Sequence, residues 1–356
     1  MLSITVHSIC VTKRVQAAAV ARRPFLRRSG LFAPLLLGVG TSGVLVLILV
    51  AAEVSLRAVG FEYRTFPLVQ FGWPRPEQME DLYVADRDVF WAPRDHGRRL
   101  GSGRVDRPAV AFLGDSCTQF GTYPERTLKL LGGMNPGLSS GINLGVGGWS
   151  AVQGLALLKR DVLPLQPSVV TFYFGWNDHW TAVGAPDAEV RPSAVAWYLA
   201  QNSRLFQLLL KARVAATLLE PQSGRARRVD PATYKETLRE MTRVCQRAGI
   251  RPVFVTAPSN HRPGREPRYL AERHLRRLDE LVPLHLAYVQ ATREAARESG
   301  AVLCDAAEAF GRAAGQRARY FRSDGIHLTT EGDEALATLL AGCIVESMGP
   351  GWAGST

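Results

Sequence analysis

The chain has 356 residues, a hydrophobic fraction of 46% and a formal net charge of +11. That length holds one large domain with extensions or two small ones, and the composition excludes collagenous, coiled-coil and broadly disordered chains. Part of the basic excess is local, because Lys13, Arg14, Arg22, Arg23, Arg27 and Arg28 stand in residues 1–30 with no acid among them; the rest is scattered arginine, not the basic stripe interleaved with aromatics of a nucleic-acid binder.

In chain order, 1–30 reads as a basic cytoplasmic N-terminus and 31–52 as a transmembrane anchor. No charged residue occurs from Ser29 to Ala52, and about 20 apolar residues span a bilayer's hydrocarbon core. Positive charge stays on the cytoplasmic side, so the bulk of the chain is expected outside, on a single-pass anchor. Val50-Ala51-Ala52 leaves a cleaved signal peptide open as an alternative. Residues 53–107 form a connecting region rich in proline and aromatics, among them Tyr83, Phe90 and Trp91, expected to pack on the catalytic domain.

From 108 to 346 short apolar runs alternate with helical patterns. The runs 109–113, 141–144, 169–174, 252–257 and 301–304 are continuous, which suits strands buried on both faces. Helices are expected at 123–131, 151–160, 231–248, 284–299 and 329–346. Asp230-Pro231 opens one of them with an N-cap and a first-turn proline, and Gly249 closes it. Strand–helix alternation implies an α/β fold with a parallel sheet. Residues 184–229 break the rhythm and read as an insertion, either a lid or a packed helix; 347–356 is a tail. The cysteines, Cys10, Cys117, Cys245, Cys304 and Cys343, show no metal-binding spacing. No metal is expected, and a Cys245–Cys304 bridge stays open.

The chemistry concentrates where the expected strands end. The first run closes on Gly114-Asp115-Ser116, and a serine just beyond a strand can face the crevice where such sheets hold ligands. A serine hydroxyl needs a base, and Asp324-Gly325-Ile326-His327 offers an aspartate and a histidine three apart before a helix. The aspartate can hold the imidazole in its useful tautomer while the other ring nitrogen faces the serine. Acyl transfer also needs oxyanion donors. Asn143-Leu144-Gly145-Val146-Gly147-Gly148 and Gly175-Trp176-Asn177-Asp178 stand at two further strand ends.

These four segments, in this order, resemble the signature blocks of the SGNH/GDSL hydrolase superfamily over roughly 108–346. The resemblance implies a three-layer flavodoxin-like fold without a cofactor. It implies Ser116 as nucleophile, His327 as general base and Asp324 as its orienting partner. The Ser116 N–H, the Gly148 N–H and the Asn177 amide would form the oxyanion hole, with Gly147 as the alternative glycine. Gly114, Asp115, Asn143, Gly175 and Asp178 would support these blocks. The helix at 31–52 and the segment Asp86-Arg87-Asp88-Val89-Phe90-Trp91 are similar to bacterial membrane-anchored members, several associated with acyl groups on surface polysaccharides. The expected reaction is hydrolysis of a short O-acyl ester on an extracytoplasmic glycan or of a similar small ester. Acyl transfer to a polysaccharide, lipase or thioesterase activity, and a non-catalytic glycan-binding role are the alternatives. Trp149 and Trp180 are expected to face the cleft, and Trp176 to pack beneath the loops.

Overall fold

The structure, a computed structural model, describes residues 32–63, 81–101, 108–313 and 317–348. The chain divides into two units, Met1–Ser55 and Leu56–Thr356. The basic segment 1–30, residue 31, the side chains of 32–41 and the tail after Met348 lie outside the described residues. One helix, α1, runs Phe32–Ala58. Among the described residues no helix is long and apolar enough to cross a membrane. The described side chains of α1 are uncharged only over 42–52 before Glu53 and Arg57 intervene, and that stretch rises about 17 Å against a core of about 30 Å.

In the second unit a hairpin of β1 (Tyr83–Asp86) and β2 (Phe90–Pro93) precedes a five-stranded parallel sheet. Its strands are β3 (Val110–Gly114), β4 (Gly141–Asn143), β5 (Val169–Tyr173), β6 (Arg251–Val255) and β7 (Val302–Cys304), in the order β4-β3-β5-β6-β7. Successive side chains of a strand point to opposite faces, and here both faces are buried. Val110, Phe112, Val169, Tyr173, Val253 and Val255 join one apolar cluster. Ala111, Leu113, Val170, Phe172 and Phe254 join the other. That division accounts for continuous rather than alternating apolar runs.

The first face is covered by α2 (Tyr123–Met134) and α8 (Thr330–Met348), which pack on each other. The second is covered by α3 (Ala151–Leu157), α6 (Pro231–Arg247) and α7 (Leu281–Ser299). Between β5 and α6 lies the insertion, with α4 (Ala194–Asn202) and α5 (Arg204–Leu218). The helix after β3 and the helix after β5 cover opposite faces, so the sheet has its switch point there, where a ligand crevice opens at the carboxyl ends of the strands. Ser116 follows β3, and Asn177 follows β5. The described cysteines Cys117, Cys245, Cys304 and Cys343 are all free, so the Cys245–Cys304 bridge is not formed. Cys304 lies against Cys343 instead, whose hydrogen bond pushes the Cys304 thiol up.

Candidate active site

Asp115 caps the short helical turn Ser116–Gln119, its Oδ1 accepting the Cys117 N–H at 2.9 Å. The turn leaves the Ser116 N–H without an intrahelical acceptor. The Ser116 Oγ lies 2.9 Å from His327 Nε2, and His327 Nδ1 lies 2.7 Å from Asp324 Oδ2. The other carboxylate oxygen of Asp324 accepts the N–H groups of Ile326 and His327 at 2.8 and 2.9 Å. Burial pushes the Asp324 carboxyl up, but His327 and these two N–H groups outweigh it and hold it at about 2. An anionic Asp324 beside Nδ1 favours the tautomer whose Nε2 accepts a proton from the serine.

The glycine block and the Asn block meet at the same place. Asn143 donates from Nδ2 to the Thr118 carbonyl at 2.8 Å, tying the end of β4 to the nucleophile turn. The Gly147 N–H donates to Gln119 Oε1 at 2.5 Å, whereas Gly148 lines the cavity at Ser116; of the two glycines left open by the sequence, Gly148 is the one at the cavity. Its φ of +80° is a conformation natural to glycine alone. Asp178 is fully buried and accepts from the N–H groups of Ala151 and Gly175 at 2.8 and 3.0 Å. Burial lifts Asp178 to about 7 and Asp115 to about 6 against those donors. Asn177 departs from expectation. Its Nδ2 donates to Asp115 Oδ2 and to the Trp149 carbonyl, each at 3.1 Å, so both amide protons have acceptors.

A cavity of about 310 Å³ opens over Ser116, Gly148, Asn177 and His327. Trp176, Trp180, Tyr269, Leu270, Ile326 and Phe120 give it an apolar wall. Trp180 lines it but is only 6% exposed, stacked on Trp176. Trp176 is almost fully buried, stacked on the His285 ring at 4.0 Å, yet also reaches the cavity wall. Trp149 does not face the cleft. It is 0% exposed, and its Nε1 donates to the Trp91 carbonyl at 3.0 Å, while Trp91 Nε1 donates to the Gly147 carbonyl at 3.2 Å. The hairpin thus turns Trp149 inward to brace the glycine loop. A larger cavity, about 560 Å³ between Arg87 and Pro192, contains none of the triad residues.

Two supports were not visible in the sequence. Arg228 and Asp187 form an ion pair at 2.7 Å, their side chains 2% and 0% exposed. Arg228 also donates to the Gly148 carbonyl at 2.6 Å and to Gln153 Oε1 at 2.9 Å, and Asp187 accepts from Ser150 Oγ. His261, from the loop after β6, sits 2.8 Å from the Asp324 carbonyl through Nε2. A Cβ on Gly325 would meet that ring at 2.8 Å, and Gly325 has φ +71°. The signal for both was weak: an arginine in a basic run, and a histidine outside any motif.

Residues 112–335 match the model of the GDSL-like Lipase/Acylhydrolase family. A comparison with curated proteins found no match. Among solved structures, a lipase/acylhydrolase from Enterococcus faecalis is 17% identical, with 66% of this chain and 94% of that chain covered at TM-score 0.43. An acetylxylan esterase from Geobacillus stearothermophilus is 18% identical, with 70% and 97% covered at TM-score 0.43. An alpha/beta hydrolase enzyme from the metagenome of Lake Arreo, Spain, is 20% identical, with 70% and 97% covered at TM-score 0.43. With residues 112–335, more than half of its length, matching the family's model, the chain belongs to the GDSL-like lipase/acylhydrolase family and is an ester hydrolase.

Proposed function

We propose that the chain is a serine esterase that removes a short O-acyl group from an extracytoplasmic glycan through an acyl-enzyme, and that 31–52 anchors it with the catalytic unit outside the cytoplasm. The observation that carries the chemistry is the unbroken chain Ser116 Oγ, His327 Nε2, His327 Nδ1, Asp324 Oδ2, with its 2.9 and 2.7 Å links. Ser116 Oγ attacks the ester carbonyl carbon while His327 Nε2 takes its proton. The carbonyl oxygen, now anionic, takes the Ser116 and Gly148 N–H groups. Asn177 joins them by releasing one of its two present acceptors. Collapse breaks the C–O bond to the alcohol, which leaves with the proton from His327. Water, deprotonated by His327, then attacks the acyl carbon, and Ser116 Oγ leaves with the proton from His327 as the acid is released.

The glycan reading is supported by the aromatic wall of the cavity. Flat apolar faces such as Trp180 suit the C–H side of a sugar ring. Replacement of Ser116 by Ala is expected to cut turnover of p-nitrophenyl acetate at least ~10³-fold with the fold intact. Covalent labelling by a fluorophosphonate should vanish with it, and labelling that persists overturns the assignment. Trp180→Ala should lower turnover of an acetylated glycan far more than that of p-nitrophenyl acetate. Fastest cleavage of acyl chains of about eight carbons or more would favour a lipid ester instead, since each buried methylene adds about 0.8 kcal/mol.

A further inference from the structure

A second cavity, about 340 Å³, is lined by Asn260, His261, Arg262, Arg265, Ser323, Asp324 and Gly325, among others. It lies against the same turn that carries His327. The segments 260–274 and 322–327 wall both cavities. Tyr269, Leu270, His274, Arg322, Ile326 and His327 face Ser116, whereas Arg262, Arg265 and Ser323–Gly325 face the second space.

The charge in and around this second space is lopsided. Several arginines elsewhere are matched, such as Arg160 with Asp86 and Asp161, Arg293 with Asp305 and Arg319 with Glu331. Among the described residues, no carboxylate lies within ion-pair distance of Arg262, Arg265, Arg317 or Arg322. Asp324, the carboxylate in this wall, is already held by His327 and two backbone N–H groups. Glu266 accepts from the Gly264 N–H. Arg317 gives Nη2 to the Ser259 carbonyl, but its Nε is buried without an acceptor. Burial and the charge of Arg262 both pull the Arg317 guanidinium down, as expected of cations gathered without a counter-ion.

We propose that the cavity between Arg262, Arg265 and the Asp324-Gly325 turn is a subsite for a carboxylate or phosphate group on the glycan whose acyl ester sits at Ser116. The inference rests on the glycan esterase reading above and narrows its substrate to an acidic glycan. A guanidinium pairs with such groups through two parallel N–H donors. Arg322, at the wall of the Ser116 cavity, gives its Nε to the Leu328 carbonyl and lies within the charge field of Asp333. An ester on one sugar would then lie at Ser116 while the anionic group of the same or a neighbouring unit reaches over the turn.

The test uses the full chain and the double variant Arg262→Ala/Arg265→Ala, with Arg262→Lys/Arg265→Lys keeping the charge. Partly O-acetylated polygalacturonate and O-acetylated xylan are the substrates, and unacetylated oligogalacturonate is titrated by calorimetry. The alanine variant should lose at least ~10-fold more kcat/KM on the acidic polymer than on xylan. It should also bind oligogalacturonate at least ~10-fold more weakly, with the lysine variant in between. Salt should weaken wild-type binding to oligogalacturonate. Equal losses on both polymers, or unchanged oligogalacturonate binding, overturn the subsite. So does arginine-dependent binding to phosphatidylglycerol vesicles without binding to oligogalacturonate, which assigns the cavity to a lipid headgroup. If the wild type deacetylates neither polymer yet binds oligogalacturonate through these arginines, the esterase reading on glycans fails and the anion subsite stands. If it deacetylates xylan and binds no oligogalacturonate, the reverse holds.

Discussion

Asn177 holds two acceptors with two protons, so one of them must be given up when the amide serves the oxyanion. Its partner Asp115 is a positioning residue, buried and joined to both the nucleophile turn and Asn177. Asn177→Ala is expected to lower kcat by about 10²–10³-fold with little change in KM, because the amide matters once charge develops on the oxygen. Steady-state kinetics decides it, and a raised KM with unchanged kcat assigns Asn177 to ground-state binding. Asp324 carries a pH dependence. Its carboxyl is held at about 2, below the usual aspartate value near 4. Its stabilising contribution is therefore present above pH ~4 and is lost as pH falls toward 2. Denaturant unfolding of Asp324→Asn across that range should lack this part of the acid loss. Ser116, Asp324 and His327 were legible because each motif is short and local. The inward turn of Trp149 was not, because its direction is set by Trp91, which arrives from 58 residues earlier in the chain.

At the scale of elements, the insertion closes on itself like a drawn neck. Thr181 bridges Arg227 antiparallel, Ala182 N–H bonds the Ala226 carbonyl, and Val229 N–H bonds the Asp178 carbonyl. The Arg228–Asp187 pair then ties that neck to the carbonyl of Gly148. The base of the insertion thus braces the catalytic loops, while Val214 of its second helix packs on the cluster that holds Trp176 and Trp180. Removing Arg228 leaves Asp187 buried and unpaired, so Arg228→Ala is expected to cost about 3–5 kcal/mol of stability. Chemical denaturation measures it; a loss under about 1 kcal/mol shows that the pair is dispensable. The five strands of the sheet were legible because runs buried on both faces are continuous, with ends within two residues of the observed ones. The β1–β2 hairpin was not, because four-residue strands, one of mixed and one of uniform burial, are too short to show a period.

At the scale of the whole molecule, the sequence alone carries the expectation of an anchored enzyme, since the basic segment lies outside the described residues. A reporter active only outside the cytoplasm, fused after Thr356, should be active; a cytoplasm-only reporter active at that site inverts the topology. N-terminal sequencing that begins at Glu53 turns the anchor into a signal peptide.

The serine and its base are separated by 211 residues of chain. The last helix closes the distance again, as Asp333 Oδ2 accepts the Thr122 N–H at 2.7 Å, beside the nucleophile turn. Contacts of such long range carry a large loop-closure cost. Ser116 therefore remains an inert alcohol until residues 324–327 have been made and docked beside it. A fragment of this chain that stops before Asp324 is therefore expected to carry Ser116 without hydrolytic power.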